Sequence, residues 1–204
     1  VLRRVGVALA LAFVGACSSH TAPPTATTSA PSASPTPTVP SETAVGTETN
    51  PVGDIPDSTQ FVNYHSTAGH YTLTHPEGWA QRANGSGVMF SDKEHSITVA
   101  LTSASGPRTP GTTRSMDEPQ VRSSVPAFEE VKIATATLPG GPAVLFRYRM
   151  NSAPDPVTGK KVRLEVDRYE IYSSGRLAIL SLSAPAGSDN VDVWNKVSQS
   201  FVWS

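Results

Sequence analysis

Between Gln60 and Ser183 apolar residues recur mostly at every second position, and beyond Asn190 their spacing changes to three and four. The change separates strands from a helix, because side chains alternate across a strand and repeat every 3.6 residues around a helix. Phe61 to Ser66 and Tyr71 to His75 read as a hairpin turning at Ala68-Gly69. If those two residues are the whole turn, His65 pairs with Thr72; a four-residue loop would set His65 opposite His70. Pro76-Glu77-Gly78 turns the chain into Trp79, and Val88 to Ser91 and His95 to Thr102 are two further strands around Asp92-Lys93-Glu94. The polar stretch from Ser103 to Val125 carries Pro107, Pro110 and Pro119, which predicts a short or interrupted helix over Thr113 to Ser124.

The second half alternates more regularly. Phe128 to Leu138 predicts a strand that ends at Pro139-Gly140-Gly141. From Ala143 to Met150, Val144, Phe146, Tyr148 and Met150 share one face and Leu145, Arg147 and Arg149 the other. Its partner, Lys161 to Tyr172, turns Val162, Leu164 and Val166 inward and Lys161, Arg163, Glu165 and Asp167 outward. The register that sets Phe146 beside Val166 places Arg147 opposite Glu165 and Arg149 opposite Arg163. Leu177 to Ser183 has the composition of a central strand. Gly187-Ser188-Asp189-Asn190 offers capping residues, after which Val191, Trp194, Val197 and Phe201 mark a C-terminal amphipathic helix. Antiparallel hairpins followed by one helix packed on the sheet define an α+β domain.

The chain ahead of this pattern is of another kind. Arg3 and Arg4, an uncharged run from Val5 to Ala16, and then Cys17 have the layout of a secretory signal, with an apolar run too short for a transmembrane helix. Val14-Gly15-Ala16-Cys17 matches a lipobox, so residues 1–16 are expected to be removed and Cys17 to become a lipid-modified N-terminus. An ordinary signal peptide cut near Ala16, with Cys17 a bystander, is the alternative. Residues 17–59 are expected to be a disordered tether rich in Pro, Thr and Ser, since segments poor in apolar residues cannot bury enough surface to offset their ordering entropy. Residues 60–204 then form the folded domain.

Composition narrows the chemistry. Without residues 1–16, fourteen basic residues face seventeen acidic ones, a net charge of −3, which offers nothing to nucleic acid. Cys17 is the single cysteine, so no intramolecular disulfide forms and no thiol is free for catalysis. His65, His70, His75 and His95 are spread over strands without metal-ligand spacing and read as surface histidines, so no metal site or cofactor is expected. Gly85-Ser86-Gly87 lacks the spacing of a serine-nucleophile elbow and reads as a hairpin turn. Asp117-Glu118 and Glu129-Glu130 are adjacent pairs, which on a strand face opposite ways. Arg147, Arg149, Lys161 and Arg163, with Arg168 on the opposite face, could meet an anionic partner, but together with their carboxylate neighbours they read as a solvated mixed-charge ladder. Trp79 and Trp194 are expected in the core, with Trp203 at its margin.

Several blocks resemble a known group. Tyr71-Thr72-Leu73-Thr74-His75-Pro76-Glu77-Gly78-Trp79 is similar to the strand and Pro-x-Gly-Trp opening of PsbP-like domains, the group that includes the Mog-type nuclear import factor. Tyr169 to Tyr172, Gly175 to Pro185, and Trp194 to Phe201 resemble that group's final hairpin, its Ala-Pro after the strand and its closing helix. With a lipobox and a Pro/Thr spacer in front, the whole resembles the actinobacterial lipoprotein family called LpqN. The resemblance implies a central antiparallel sheet flanked by helices, with the proline-containing region near Glu118-Pro119 departing from the group's fuller helix. With no catalytic or metal-binding constellation in the sequence and a lipobox ahead of it, the expected role is a non-enzymatic binding or accessory module for an envelope partner, anchored through Cys17 on the extracytoplasmic side of the cell membrane. The alternative is a carrier of a small apolar ligand, lipid or glycolipid, which would need an apolar internal cavity. Binding is expected on Asn151 to Lys160 or on Ser103 to Val125, since loops on a rigid sheet vary without disturbing the core.

Overall fold

The structure, a computed structural model, describes residues 42–48 and 53–204. The signal segment, Cys17 and most of the expected tether lie outside the described residues. The strands form two antiparallel sheets. In the smaller, β1 (Phe61–Ser66) and β10 (Val202–Trp203) flank β2 (Tyr71–Pro76). The larger has seven strands in the order β3-β4-β5-β9-β8-β7-β6: β3 (Ala80–Asn84), β4 (Gly87–Asp92), β5 (His95–Ser103), β6 (Glu129–Leu138), β7 (Gly141–Asn151), β8 (Arg163–Ser173) and β9 (Arg176–Pro185). Strand β9 is central, as its composition predicts. His65 pairs with Thr72, as the two-residue-turn reading expects, although the strands end at Ser66 and Tyr71 and residues 67–70 make the turn, closed by the His70 N–H on the Ser66 carbonyl. Gly85-Ser86 turns β3 into β4, and Pro139-Gly140 turns β6 into β7.

Each face of the large sheet has its own cover. On one, the smaller sheet and helix α3 (Val191–Ser200) lie over Val88, Phe90, Ile97, Val99, Leu180 and Leu182 to build the main core. Phe90, Tyr71 and Phe201 are fully buried there. Removing such a side chain from water contributes about 1.5–3 kcal/mol. On the other face a helical segment covers β6 to β8, with Val121 against Phe146, Tyr148 and Val166. This segment runs without a break from Pro110 to Ser124, as α1 (Pro110–Thr112), a π turn (Thr113–Asp117) and α2 (Glu118–Ser124). It is longer than the prolines predict. Thr109 and Thr112 form a capping box, Pro110 occupies the first turn where no N–H is needed, and the Glu118 N–H bonds to the Thr113 carbonyl five residues back. The wider turn lets the helix continue past Pro119.

Four expectations are corrected. The pairing of β7 with β8 is displaced by two residues: Phe146 lies opposite Arg168, Arg147 opposite Asp167 and Arg149 opposite Glu165. Arg147 and Arg149 thereby each lie opposite a carboxylate. Arg163 is buried rather than solvated, donating to the Ala127 carbonyl at 2.7 Å and to Glu129 at 2.8 Å. In α3, Val193 takes the buried position and Val191 is exposed; the N-cap Asn190 makes no capping bond, because its side chain is spent elsewhere. Trp79 is half-buried at the margin of the core, whereas Trp194 is inside it.

The packed unit also starts earlier than Gln60. Ile55 is buried in the main core, and its N–H donates to Asn190 Oδ1 at 2.9 Å. Asp54 accepts from the Asp189 N–H at 2.8 Å. Further back, the Val45 N–H donates to Asn151 Oδ1 at 3.1 Å, while Asn151 Nδ2 donates to Glu42 and to the Thr43 carbonyl. Glu42 and Glu48 pair with Lys161 and Lys160. Of the expected tether, residues 42–48 and 53–59 thus lie along the domain.

Candidate functional site

The two expected binding stretches have different fates. Ser103 to Val125 spends its polar groups on the fold: Thr113 donates to the fully buried Glu170 at 2.6 Å, Arg114 pairs with Glu130, Arg122 with Glu118 and Arg108 with Asp117. The Asp117-Glu118 and Glu129-Glu130 carboxylates are all held in ion pairs, Glu129 by Arg163 and Arg149. Asn151 to Lys160, in contrast, is buried only at Asn151 and Ser152 and from Ala153 onward reaches into solvent.

That loop is built around Asp155. Its Oδ1 accepts from the Val157 N–H at 3.1 Å, the Thr158 N–H at 2.7 Å and the Thr158 hydroxyl at 2.8 Å. These bonds, the Thr158 N–H foremost, hold the Asp155 carboxyl below its ordinary range. The loop is closed by Asp155 N–H to Lys160 O and Gly159 N–H to Asp155 O, both 2.8 Å, and at its base by Ser152 N–H to Val162 O. Val157 stands at the tip, 90% exposed. A hydrophobic side chain is therefore presented on a hydrogen-bonded frame.

Beneath the loop, on the face that the helical segment leaves partly open, lies a groove of about 590 Å³. Met89, Leu164 and Met150 supply apolar surface, Ser91, Ser96 and Ser183 supply hydroxyls, and Ser152 to Pro156 form one wall. On the opposite face a smaller hollow of about 230 Å³ lies between α3 and the charged ladder, with Trp194, Tyr169 and Leu145 beside Arg147, Asp167 and Glu165. Both are open to solvent. Arg147 binds Asp167 with two hydrogen bonds, which hold its guanidinium pKa above the ordinary value.

The histidines are not all superficial. His65 and His70 are exposed, but His75 and His95 are buried. His75 stacks on Phe90 with ring centroids 3.8 Å apart, and Asn190 Nδ2 approaches His95 Nε2 at 3.4 Å. Burial holds both imidazoles below their ordinary pKa. Alternation already turns His75 toward the same side as Tyr71 and Leu73, a signal that could have placed it inside. Among the described residues no group of three or more His, Cys, Asp or Glu is placed to hold a metal ion, and no helix is long and apolar enough to cross a membrane.

No family model matches the chain, and no curated protein matches it in sequence. Among solved structures it is similar to cyanobacterial PsbP from Synechocystis, with 17% identity over 75% of this chain and 99% of that one and a TM-score of 0.49. It is similar to the Ran-binding protein Mog1p of Saccharomyces cerevisiae, with 11% identity over 71% and 95% and a TM-score of 0.48. It is also similar to LpqN of Mycobacterium tuberculosis, a protein involved in cell envelope biogenesis, with 18% identity over 72% and 91% and a TM-score of 0.44. These are the groups that the sequence motifs resemble. At such scores the likenesses carry neither family membership nor activity to this chain.

Proposed function

We propose that this chain is a non-enzymatic binding module of the bacterial cell envelope, anchored through lipid on Cys17 and offering the Asn151–Lys160 loop and the groove beneath it to an envelope protein. The lipobox supports the anchor. The loop supports the binding role: Asp155 organises it with three accepted hydrogen bonds while Val157 is left bare in solvent, an arrangement that lowers the ordering cost of contact. A carrier of an apolar ligand calls for an enclosed apolar cavity. The groove beneath the loop and the hollow beside α3 are both open, and serines and charged groups line them as much as apolar side chains do.

Cross-linking of the envelope-displayed domain followed by pulldown tests this reading. A specific protein should be captured by the unsubstituted chain and lost with Val157→Asp, which leaves the fold intact. Native mass spectrometry that finds a lipid bound in equal proportion to protein would overturn it in favour of the carrier. For the anchor, Cys17→Ala should be released into the medium and globomycin should block processing; undiminished membrane retention of Cys17→Ala would overturn the lipid attachment.

A further inference from the structure

The two edges of the large sheet are protected unequally. Strand β3 is five residues long, exposed at every position, and carries Gln81, Arg82 and Asn84. Short polar edges are poor templates for another strand. Strand β6 has ten residues, and its irregularity, a register shift between Glu130 and Lys132, is confined to its beginning. From Ile133 to Leu138 it reads Ile-Ala-Thr-Ala-Thr-Leu, without charge, proline or bulge. Among the described residues the backbone hydrogen bonds of this stretch run to β7 alone. A row of N–H and C=O groups consequently faces outward with no partner among the described residues.

We propose that the β6 edge pairs antiparallel with β6 of a second copy of the chain, forming a twofold dimer with one continuous sheet. The side chains favour this occupant and its register. Centred on Thr135, the pairing sets Thr135 against its own copy, Ala134 against Ala136 and Ile133 against Thr137. Threonine pairs and apolar pairs stabilise a ladder, and no like charges meet. The one charged residue adjoining the stretch, Lys132, falls opposite Leu138. Parallel pairing would set Glu130 and Lys132 each against itself, and a centre nearer Val131 would run into the irregularity. The arrangement is self-complementary and closes, because it consumes both β6 edges and leaves the large sheet bounded by the short polar β3 edges. A contact of about seven residues per strand is smaller than the standard interface of about 1,600 Å². Association is therefore weak and concentration-dependent.

The test uses the mature chain carrying Cys17→Ser, which has neither acyl group nor thiol. Adding Thr135→Cys places one thiol at the twofold axis, and mild oxidation should give a covalent dimer; Arg82→Cys on the β3 edge should not. Sedimentation of the Cys17→Ser chain should show a dimer that grows with concentration, and Thr135→Arg, which opposes two guanidinium groups at the axis, should stay monomeric with an unchanged circular dichroism spectrum. Thr137→Arg serves as the second variant if the first does not fold. A chain monomeric at every concentration, a dimer that survives both arginine variants, or cross-linking no greater at position 135 than at 82 would overturn the proposal. A monomer whose Thr135→Arg form loses a captured envelope protein would equally overturn it, reassigning the edge to an extended peptide.

Discussion

Arg147 reaches from β7 to Asp167 on β8 through two parallel hydrogen bonds, Nε to Oδ1 at 2.5 Å and Nη2 to Oδ2 at 2.7 Å. Two residues along, Arg149 meets Glu165 through a single hydrogen bond, Nε to Oε2 at 2.8 Å. The first pair has a carboxylate only 7% exposed, whereas the second is open on both sides at 37% and 29%. Arg147→Ala, which strands the Asp167 carboxylate, should cost about 1.5–3 kcal/mol. Arg149→Ala should cost under about 1 kcal/mol, because solvent screens that pair. Urea unfolding of both variants checks the ordering, and equal losses would contradict it.

His75 and His95 make stability depend on pH. Burial lowers both pKa values from 6.5, against the opposing pull of hydrogen bonds to the Pro76 carbonyl and to the backbone of Gly53 and Asp92, and of the Asp92 and Glu94 charges. Below pH 6.5 the unfolded chain binds protons that the folded one resists. Their contribution is therefore complete above about pH 6.5 and is lost as pH falls toward the folded values. Unfolding midpoints measured from pH 8 to 5 should decline on the acid side, and His75→Gln with His95→Gln should flatten that decline. An unchanged slope in the double variant would contradict the assignment.

Asn151, fully buried, ties residues 42–45 to the sheet and also accepts from Arg163 at 3.3 Å. Asn151→Ala should release residues 42–48, speeding proteolysis and amide exchange there, at a cost of about 1–3 kcal/mol for the buried partners left unmatched. Lys160→Ala removes an exposed ion pair and should leave protection of the Val45 amide nearly unchanged. Hydrogen exchange followed by mass spectrometry distinguishes the two.

Gly87 lies where β4 crosses close to β5: a Cβ built on it would sit 1.9 Å from the Val99 carbonyl oxygen. The neighbour is backbone and has nowhere to rotate. Gly87→Ala should therefore destabilise the domain by about 3 kcal/mol or more, at the upper end for overpacking. Gly106→Ala, which meets nothing within 4 Å, is the control. Comparable thermal midpoints for the two would refute the close-approach account.

The difference in register between β7 and β8 shows where sequence reasoning stops. A displacement by two residues leaves every side chain on the face it already occupied, so alternation cannot distinguish the two pairings. The loop decides it: Ser152 bonds to Val162 and Asp155 to Lys160, which fixes how much chain is spent before Arg163 meets Asn151. The loop itself was legible from Pro154-Asp155-Pro156 and Gly159. Its frame was not, because three donors converging on one Asp155 oxygen depend on loop coordinates. Strand β3 was overlooked for a related reason: it is exposed at every position and so has no buried side to generate alternation.

Local pattern was sufficient for the elements that bury one face, since period two and period 3.6 follow from backbone geometry wherever one side is wet and the other dry. The hairpins, the central place of β9 and the terminal helix all have that origin. Folding in three dimensions settled what is paired across long stretches of chain: Ile55 with Asn190, Val45 with Asn151, and β10 returning to β2. Among the described residues it also left the β6 edge open on one side. Such contacts join residues too far apart for any local periodicity to record, and their partners are defined only when the sheets and helices close upon one another.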